Sequence, residues 1–157
     1  MKTIYSVTII SIVLIGLFFF TGMEKIWYHE AFVIKLGRQP LPDWMKEMLR
    51  WGLPLAELAT VGFLVAGGTR LLGFWTAAIM MSGFACYTAY ASTEPTGHVP
   101  CACGKVFNRL TWGEHFWVNI CFLGLAVAGI WFYHQAQKKN SKILRNRSSD
   151  HRASHEL

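Results

Sequence analysis

The sequence predicts an all-α integral membrane protein built as a four-helix bundle. Hydrophobic residues make up 53% of the 157 residues and charged residues only 15%, whereas soluble domains carry about 25% charged residues. Four apolar stretches each come close to the ~20 residues that a helix needs to cross a bilayer. So many apolar stretches in so short a chain leave too little polar sequence to cover a soluble core. The aromatic content of 15% also excludes a disordered chain.

The four apolar stretches differ in the number of charged residues that they contain. The first is uncharged, is longer than the apolar core of a signal peptide and lacks an A-x-A cleavage site, so we expect it to be retained as a helix. The second carries a single charge, Glu57, and the third and fourth carry none. The stretches are residues 3–23, 51–69, 71–93 and 116–133, and the last extends back to Trp112 if the polar residues there sit at the interface.

The distribution of basic residues predicts the orientation. Six of the fifteen Lys/Arg residues lie from Lys138 onward, and a basic segment directly after an apolar helix is typical of the cytoplasmic side. Four spans place both termini on one side, so we expect both in the cytoplasm. Residues 1–137 then form the transmembrane domain and residues 138–157 a basic, disordered tail. Lipid is the expected partner, and no nucleic acid is expected because nothing else resembles a nucleic-acid reader.

The first outer loop, residues 24–50, is predicted to contain a short amphipathic helix. Asp43 after Pro42 is a good N-cap, and the apolar side chains that follow share one helical face. Such a helix is typical of a segment lying in the membrane interface, and a lid over the bundle is an equally good interpretation. The apolar face consists of Trp44, Met45, Met48 and Leu49.

The second outer loop, residues 94–111, carries a closely spaced cysteine pair. The Cα atoms of Cys101 and Cys103 can lie roughly 5.5–7 Å apart, which overlaps the range in which a disulfide closes. The small ring would be strained, and strained, exposed disulfides are the labile and oxidising ones. The pair is therefore suited to thiol–disulfide exchange, with a permanent structural disulfide as an alternative.

A metal site is a further alternative for the same loop. His98, Cys101, Cys103 and His115 form a ligand set of the kind that zinc or copper accepts. However, the C-x-C spacing matches no structural zinc motif, in which two to four residues separate the cysteines.

Two titratable residues are expected near the same side of the membrane as this loop. Glu57 lies inside the second stretch, and an ionisable residue inside a span is costly and marks a functional candidate. His115 lies at the start of the fourth stretch. A carboxylate and an imidazole can transfer protons during thiol–disulfide exchange. The alternative for Glu57 is a structural pairing with Lys25, Arg50 or a helix N-terminus.

Two further cysteines, Cys86 and Cys121, lie inside the third and fourth stretches. They would relay electrons from the loop pair if they faced one another in the bundle. The plainer interpretation is that each is a small apolar packing residue.

Several short motifs carry a family resemblance. The most specific is Val-Pro-Cys-Ala-Cys-Gly at 99–104, followed by Leu-Thr-Trp-Gly-Glu-His at 110–115 and by Asn119. Weaker motifs are Gly-Met-Glu-Lys at 22–25, Leu-Ala-Glu-Leu at 55–58 and Gly-Gly-Thr-Arg at 67–70. Together they resemble the DoxX-like superfamily of four-helix membrane proteins and, within it, the MauE (methylamine utilisation) branch. The resemblance covers residues 4–134.

The resemblance implies a multi-pass protein of the bacterial inner membrane, linked to methylamine metabolism through maturation of the disulfide-rich periplasmic methylamine dehydrogenase. Other DoxX relatives are linked to quinone-coupled sulfur oxidation. We therefore predict a thiol–disulfide redox protein that supports disulfide formation or maturation of periplasmic proteins, an oxidoreductase if it turns over. Cys101, Cys103, Glu57 and His115 are the expected catalytic residues. The expected electron acceptor is a membrane quinone, and the expected partner is a thioredoxin-like or disulfide-containing periplasmic protein. A non-catalytic assembly subunit is the alternative.

Overall fold

The computed structural model describes residues 2–39, 41–93 and 112–153. Four of the helices in this part of the chain are long and apolar enough to cross a membrane, namely α1, α3, α4 and α5. The prediction of an all-α protein with four candidate spans is confirmed. The helices are α1 (Lys2–Trp27), α2 (His29–Gly37), α3 (Asp43–Val65), α4 (Arg70–Thr93) and α5 (Trp112–Ala153).

The four long helices pack as a closed ring. The α1 helix contacts α3 and α5, and α4 contacts the same two helices from the other side. A central apolar core fills the space between them, with fully buried Leu14, Phe18, Leu64, Phe74 and Ala126. Each long helix therefore contributes at least one side chain to a common interior.

The outer surface of the ring is apolar rather than polar. Soluble monomers rarely expose contiguous apolar patches larger than a few hundred Å², whereas a membrane protein presents such a surface to lipid. The outer surface of the bundle is therefore suited to contact with lipid hydrocarbon. Large apolar side chains that are at least half exposed include Ile9, Ile12, Phe20, Leu55, Trp75, Ile79, Trp117 and Trp131.

Two glycines allow close helix contacts. A Cβ atom on Gly73 would lie 2.8 Å from the backbone nitrogen of Leu64, and a Cβ on Gly129 would collide with the ring of Phe74. Small residues at such positions let membrane helices approach one another closely. Gly73 thus sets the separation of α3 and α4, and Gly129 that of α4 and α5.

We expect Gly73→Ala to destabilise the bundle by about 1–3 kcal/mol, the usual cost of overpacking a close contact, because the backbone of Leu64 has to move. Gly62→Ala is the matched control, since a Cβ there meets nothing within 4 Å and alanine favours a helix by about 1 kcal/mol over glycine. Unfolding of both variants in mixed detergent micelles measures the difference. Equal stability of the two variants would show that the α3–α4 contact is not tight.

The connection between the first two spans differs from the sequence prediction. The expected short helix after Pro42 is not separate, because Asp43 begins a continuous helix that runs to Val65 through Pro54. A proline removes one backbone hydrogen bond, but neighbouring groups can compensate in a membrane helix. The separate short helix is α2, which lies earlier in the chain.

Asp43 is also not the N-cap. The cap residue is Pro42, and Asp43 occupies the first turn of α3, where a negative charge favours the helix dipole. Its carboxylate binds Lys46 Nζ at 3.2 Å. The helix start was therefore predicted one residue late.

The α5 helix continues through residues that the sequence assigned to a disordered tail. It has 42 residues and ends at Ala153, so it crosses the expected domain boundary at residue 137 without a break. Its length is about 63 Å at about 1.5 Å per residue, roughly twice a bilayer core. From Trp131 to Ala153 the sequence contains no glycine or proline, so nothing local terminates the helix.

Candidate functional site: a buried ion pair beside a polar cavity

A buried ion pair joins α1 to α3. Lys25 Nζ lies 2.8 Å from Glu57 Oε1 and 3.0 Å from Oε2, and each side chain is 2% exposed. The ammonium also donates to the carbonyl oxygen of Thr21 at 3.4 Å. All three ammonium protons therefore have acceptors, and Glu57 adopts one of the pairings that the sequence allowed.

A glycine permits this close approach. A Cβ atom on Gly22 would lie 3.3 Å from Glu57 Cβ and 3.2 Å from a methyl carbon of Leu58. The motif at residues 22–25 thus packs directly on the motif at residues 55–58. These two motifs, which are weakly specific in sequence, form one structural unit. Gly22 lets α1 and α3 approach closely, and Lys25 neutralises the Glu57 carboxylate.

A small polar cavity lies beside the ion pair. Its volume is about 30 Å³, enough to admit a water molecule, which needs roughly 10–15 Å³ measured this way. All four long helices contribute to its wall. The polar lining residues are Thr21, Lys25, Glu57, His115 and Asn119, and the apolar ones are Leu17, Met81, Phe84, Val118 and Phe122.

His115 and Asn119 bring polar groups from α5 to this cavity. One helical turn separates them, so they share a face of α5, and they are 3% and 9% exposed. The Asn119 Nδ2 amide has no hydrogen-bond partner among the described residues. A carboxylate, an ammonium, an imidazole and an amide thus line one small cavity, a composition suited to holding and passing a proton.

The structure brings together two of the predicted site residues. Glu57 and His115 line the same cavity although they lie on different helices. His98, Cys101 and Cys103 lie outside the described residues. The segment that contains them joins the end of α4 at Thr93 to the start of α5 at Trp112, three residues before His115.

Comparison with known protein families bears on this arrangement. Residues 3–132 match the family described as methylamine utilisation protein MauE. The chain belongs to the MauE family. Family membership and the four candidate spans together identify a multi-pass membrane protein. No curated protein and no solved structure matches the chain.

The match contains the ion pair, the polar cavity and the segment between α4 and α5. It ends at residue 132, before the basic part of α5, so the MauE family region and the transmembrane part of the chain nearly coincide.

The metal interpretation gains no support from the described residues, which contain no group of three His, Cys, Asp or Glu side chains able to hold an ion. Three members of the alternative ligand set lie outside that part of the chain. The fourth, His115, shares its cavity with the Lys25–Glu57 ion pair.

The relay interpretation of Cys86 and Cys121 disagrees with the structure. Both cysteines are exposed and neither forms a disulfide. A relay through the bundle would need them in the interior, so neither the relay nor the packing interpretation fits. Their place is on the outer surface of α4 and α5.

The contacts that hold α2 over the bundle were not predicted from the sequence. The Tyr87 hydroxyl on α4 donates to Gln39 Oε1, and Gln39 Nε2 donates to the carbonyl oxygen of Lys35 at 3.2 Å. His29 stacks on Trp51 with ring centroids 4.2 Å apart. A buried glutamine in a predicted loop has no periodic signal, so no pattern pointed to it.

We expect Lys25→Met and Glu57→Gln each to destabilise the protein, Lys25→Met by about 3–5 kcal/mol because it leaves a buried charge without its partner. The double variant should recover most of this loss, since neither charge then remains. Unfolding of the four proteins in mixed micelles gives the coupling as a double-mutant cycle. Strictly additive losses would contradict a direct Lys25–Glu57 interaction.

Proposed function

We propose that this MauE family protein is a thiol–disulfide redox protein of the bacterial inner membrane that supports disulfide formation or maturation of periplasmic proteins. The observation that supports the proposal is the cavity that His115, near the start of α5, shares with Glu57. In the sequence, Cys101 and Cys103 lie between α4 and α5, shortly before His115. The family description, methylamine utilisation, supports a role in methylamine metabolism, and the maturation of a periplasmic enzyme is what the family resemblance implies.

The proposed topology follows from the charges. Both termini lie in the cytoplasm, since six of the fifteen Lys/Arg residues follow the fourth apolar stretch, residues 116–133. The α2 helix and the start of α3 then lie at the periplasmic interface, together with the segment 94–111. Residues 1–137 form the membrane domain in this proposal, and the remainder of α5 extends into the cytoplasm.

The exchange step conserves atoms and electrons. A substrate thiolate attacks one sulfur of the Cys101–Cys103 disulfide, forming a mixed disulfide and releasing the other cysteine as a thiolate. The second substrate thiolate then breaks the mixed disulfide. The substrate gains a disulfide, and Cys101 and Cys103 gain two electrons and two protons. Their return to the disulfide requires a two-electron acceptor, for which we propose a membrane quinone.

Proton handling is the proposed role of the polar cavity. His115 is nearest in sequence to the cysteine segment and is the proposed group that exchanges protons with the thiols. Glu57 faces the same cavity, where its carboxylate, kept ionised by the Lys25 ammonium, would stabilise the protonated form of His115. The imidazole would thus move protons in step with the sulfur chemistry.

A non-catalytic assembly subunit is the second candidate. The observation that favours it is the completeness of the ion pair, because Lys25 and Glu57 satisfy one another and need no chemistry to explain them. In that case Cys101→Ser and Cys103→Ser would leave periplasmic enzyme maturation intact. A third candidate, metal binding through His98, Cys101, Cys103 and His115, would show as stoichiometric metal in the gently purified protein.

Thiol trapping tests the redox proposal. In membranes equilibrated with reducing or oxidising glutathione buffers, Cys101 and Cys103 should change between the thiol and disulfide states. Cys101→Ser or Cys103→Ser should abolish that change, whereas Cys86→Ser and Cys121→Ser should not, because both controls are exposed elsewhere on the bundle. Gel-shift alkylation measures the state. A cysteine pair that never changes state would exclude the proposed function.

The topology has its own test. A maleimide that cannot cross the bilayer should label Ser141→Cys only in permeabilised cells and should label reduced Cys101 and Cys103 in intact ones. Mass spectrometry of the labelled protein gives the sites. Labelling of Ser141→Cys in intact cells would reverse the proposed orientation.

A further inference from the structure

A second, larger cavity is lined by residues of α2, α3 and α4. Its volume is about 320 Å³, within the range of small-molecule sites. Two of its walls belong to candidate spans, since Leu53 lies in Asp43–Val65 and Met80 in Arg70–Tyr90. Most of the lining side chains are apolar, and they include Leu36, Met45, Leu49, Leu53, Met80 and Phe84.

The polar side chains on the wall of this cavity are engaged with the protein itself. Lys25 Nζ contacts both carboxylate oxygens of Glu57. The Tyr87 hydroxyl donates to Gln39 Oε1, and Gln39 Nε2 donates to the carbonyl oxygen of Lys35. A polar ligand would lose its own hydrogen bonds on entry, so the wall selects hydrocarbon rather than a polar head group.

Water is a poor occupant of such a cavity. A buried water molecule makes about three hydrogen bonds, and cavities with apolar walls stay dry. An unfilled cavity is also unfavourable, because the side chains around it lose packing contacts. The occupant that suits this wall is therefore an apolar chain.

The cavity opens toward the lipid-facing side of α4 at Gly83. This glycine lines the cavity and is itself exposed, and a Cβ on it would meet nothing within 4 Å. On the same stripe of α4 lie Ile79, one turn before it, and Tyr90, two turns after it, which are 67% and 52% exposed. All three belong to the candidate span Arg70–Tyr90. Gly83 thus leaves a gap between large side chains at which bilayer hydrocarbon can reach the cavity.

We infer that the cavity holds an acyl chain of a bilayer phospholipid, which enters from the membrane past Gly83. The chain packs against Leu36 of α2, Leu53 of α3 and Met80 of α4, and the phospholipid head group stays outside the cavity. Neither the cysteines nor an electron acceptor takes part, so this inference does not depend on the proposed function.

Met80 is a natural reporter for a chain in the cavity. Its sulfur accepts a hydrogen bond from the Thr60 hydroxyl at 3.6 Å, and Thr60 is 1% exposed. The Met80 side chain therefore points between α3 and α4, where lipid reaches it through the cavity. The next residue, Met81, is 4% exposed and lines the polar cavity instead, which makes it an internal control.

Nuclear Overhauser effects between lipid and protein test the inference. The full-length protein, deuterated except at its methionine methyl groups, is placed in nanodiscs of palmitoyl-oleoyl phosphatidylcholine. The Met80 methyl should show cross-peaks to the methylene protons of the acyl chains, and the Met81 methyl should show none. A second copy of the chain or the segment 94–111 seated in the cavity would leave Met80 without lipid cross-peaks and would overturn the inference.

A substitution at the opening separates a chain inside the cavity from lipid around the bundle. Gly83→Phe should block the opening and remove most of the Met80 cross-peak intensity. Gly124→Phe is the matched control, an exposed glycine inside α5 with equally open surroundings, and it should leave the intensity unchanged. Leu53→Trp fills the cavity from α3 and should also remove the intensity, which preserves the comparison if Gly83→Phe does not fold. Equal Met80 intensities in the cavity variants and the control would contradict the inference.

Discussion

The Lys25–Glu57 ion pair is the constraint on which the arrangement of the spans depends. Each charge alone would be costly in the interior of a membrane protein, so the two helices that carry them must meet at this level. Gly22 lets α1 come close enough for bidentate contact. Once α1 and α3 are held in this register, α4 and α5 close the ring around the remaining side of the pair.

The distribution of polar and apolar side chains in the bundle is the one expected for a protein surrounded by lipid. Large apolar side chains face outward, while the interior contains several polar ones, among them Thr60, Thr88, His115 and Asn119. The threonines donate to backbone carbonyls one turn earlier in their own helices, which satisfies their hydroxyls without a partner helix. The Lys25–Glu57 ion pair, in contrast, connects two different helices, α1 and α3.

The sequence predicted the spans well because length and the absence of charge are sufficient to define a membrane helix. The sequence identified Glu57 as a candidate functional residue but left its partner open between Lys25, Arg50 and a helix N-terminus. Only the packed bundle shows that Lys25 lies next to Glu57. The sequence prediction separated the short outer helix from the second span because Lys46, Glu47 and Arg50 precede the apolar stretch, although one helix runs from Asp43 to Val65.

Other features had no signal in the sequence at all. The contact between Gln39 and Tyr87 joins residues far apart in the chain, and a cavity of about 320 Å³ is lined by residues of α1, α2, α3 and α4 together. Neither depends on periodicity or on a motif. The redox role of Cys101 and Cys103 remains a prediction from spacing and family resemblance, because both lie outside the described residues.

The uninterrupted length of α5 has a mechanical consequence. A continuous helix behaves as a stiff rod, and a rod of about 63 Å that pivots by one degree moves its far end by about 1 Å. A slight change in tilt where His115 packs would therefore be carried as a larger lateral displacement to the lysines and arginines near the opposite end of α5. A helix of this length would act as a lever arm between the cavity at its start and the basic residues toward its end.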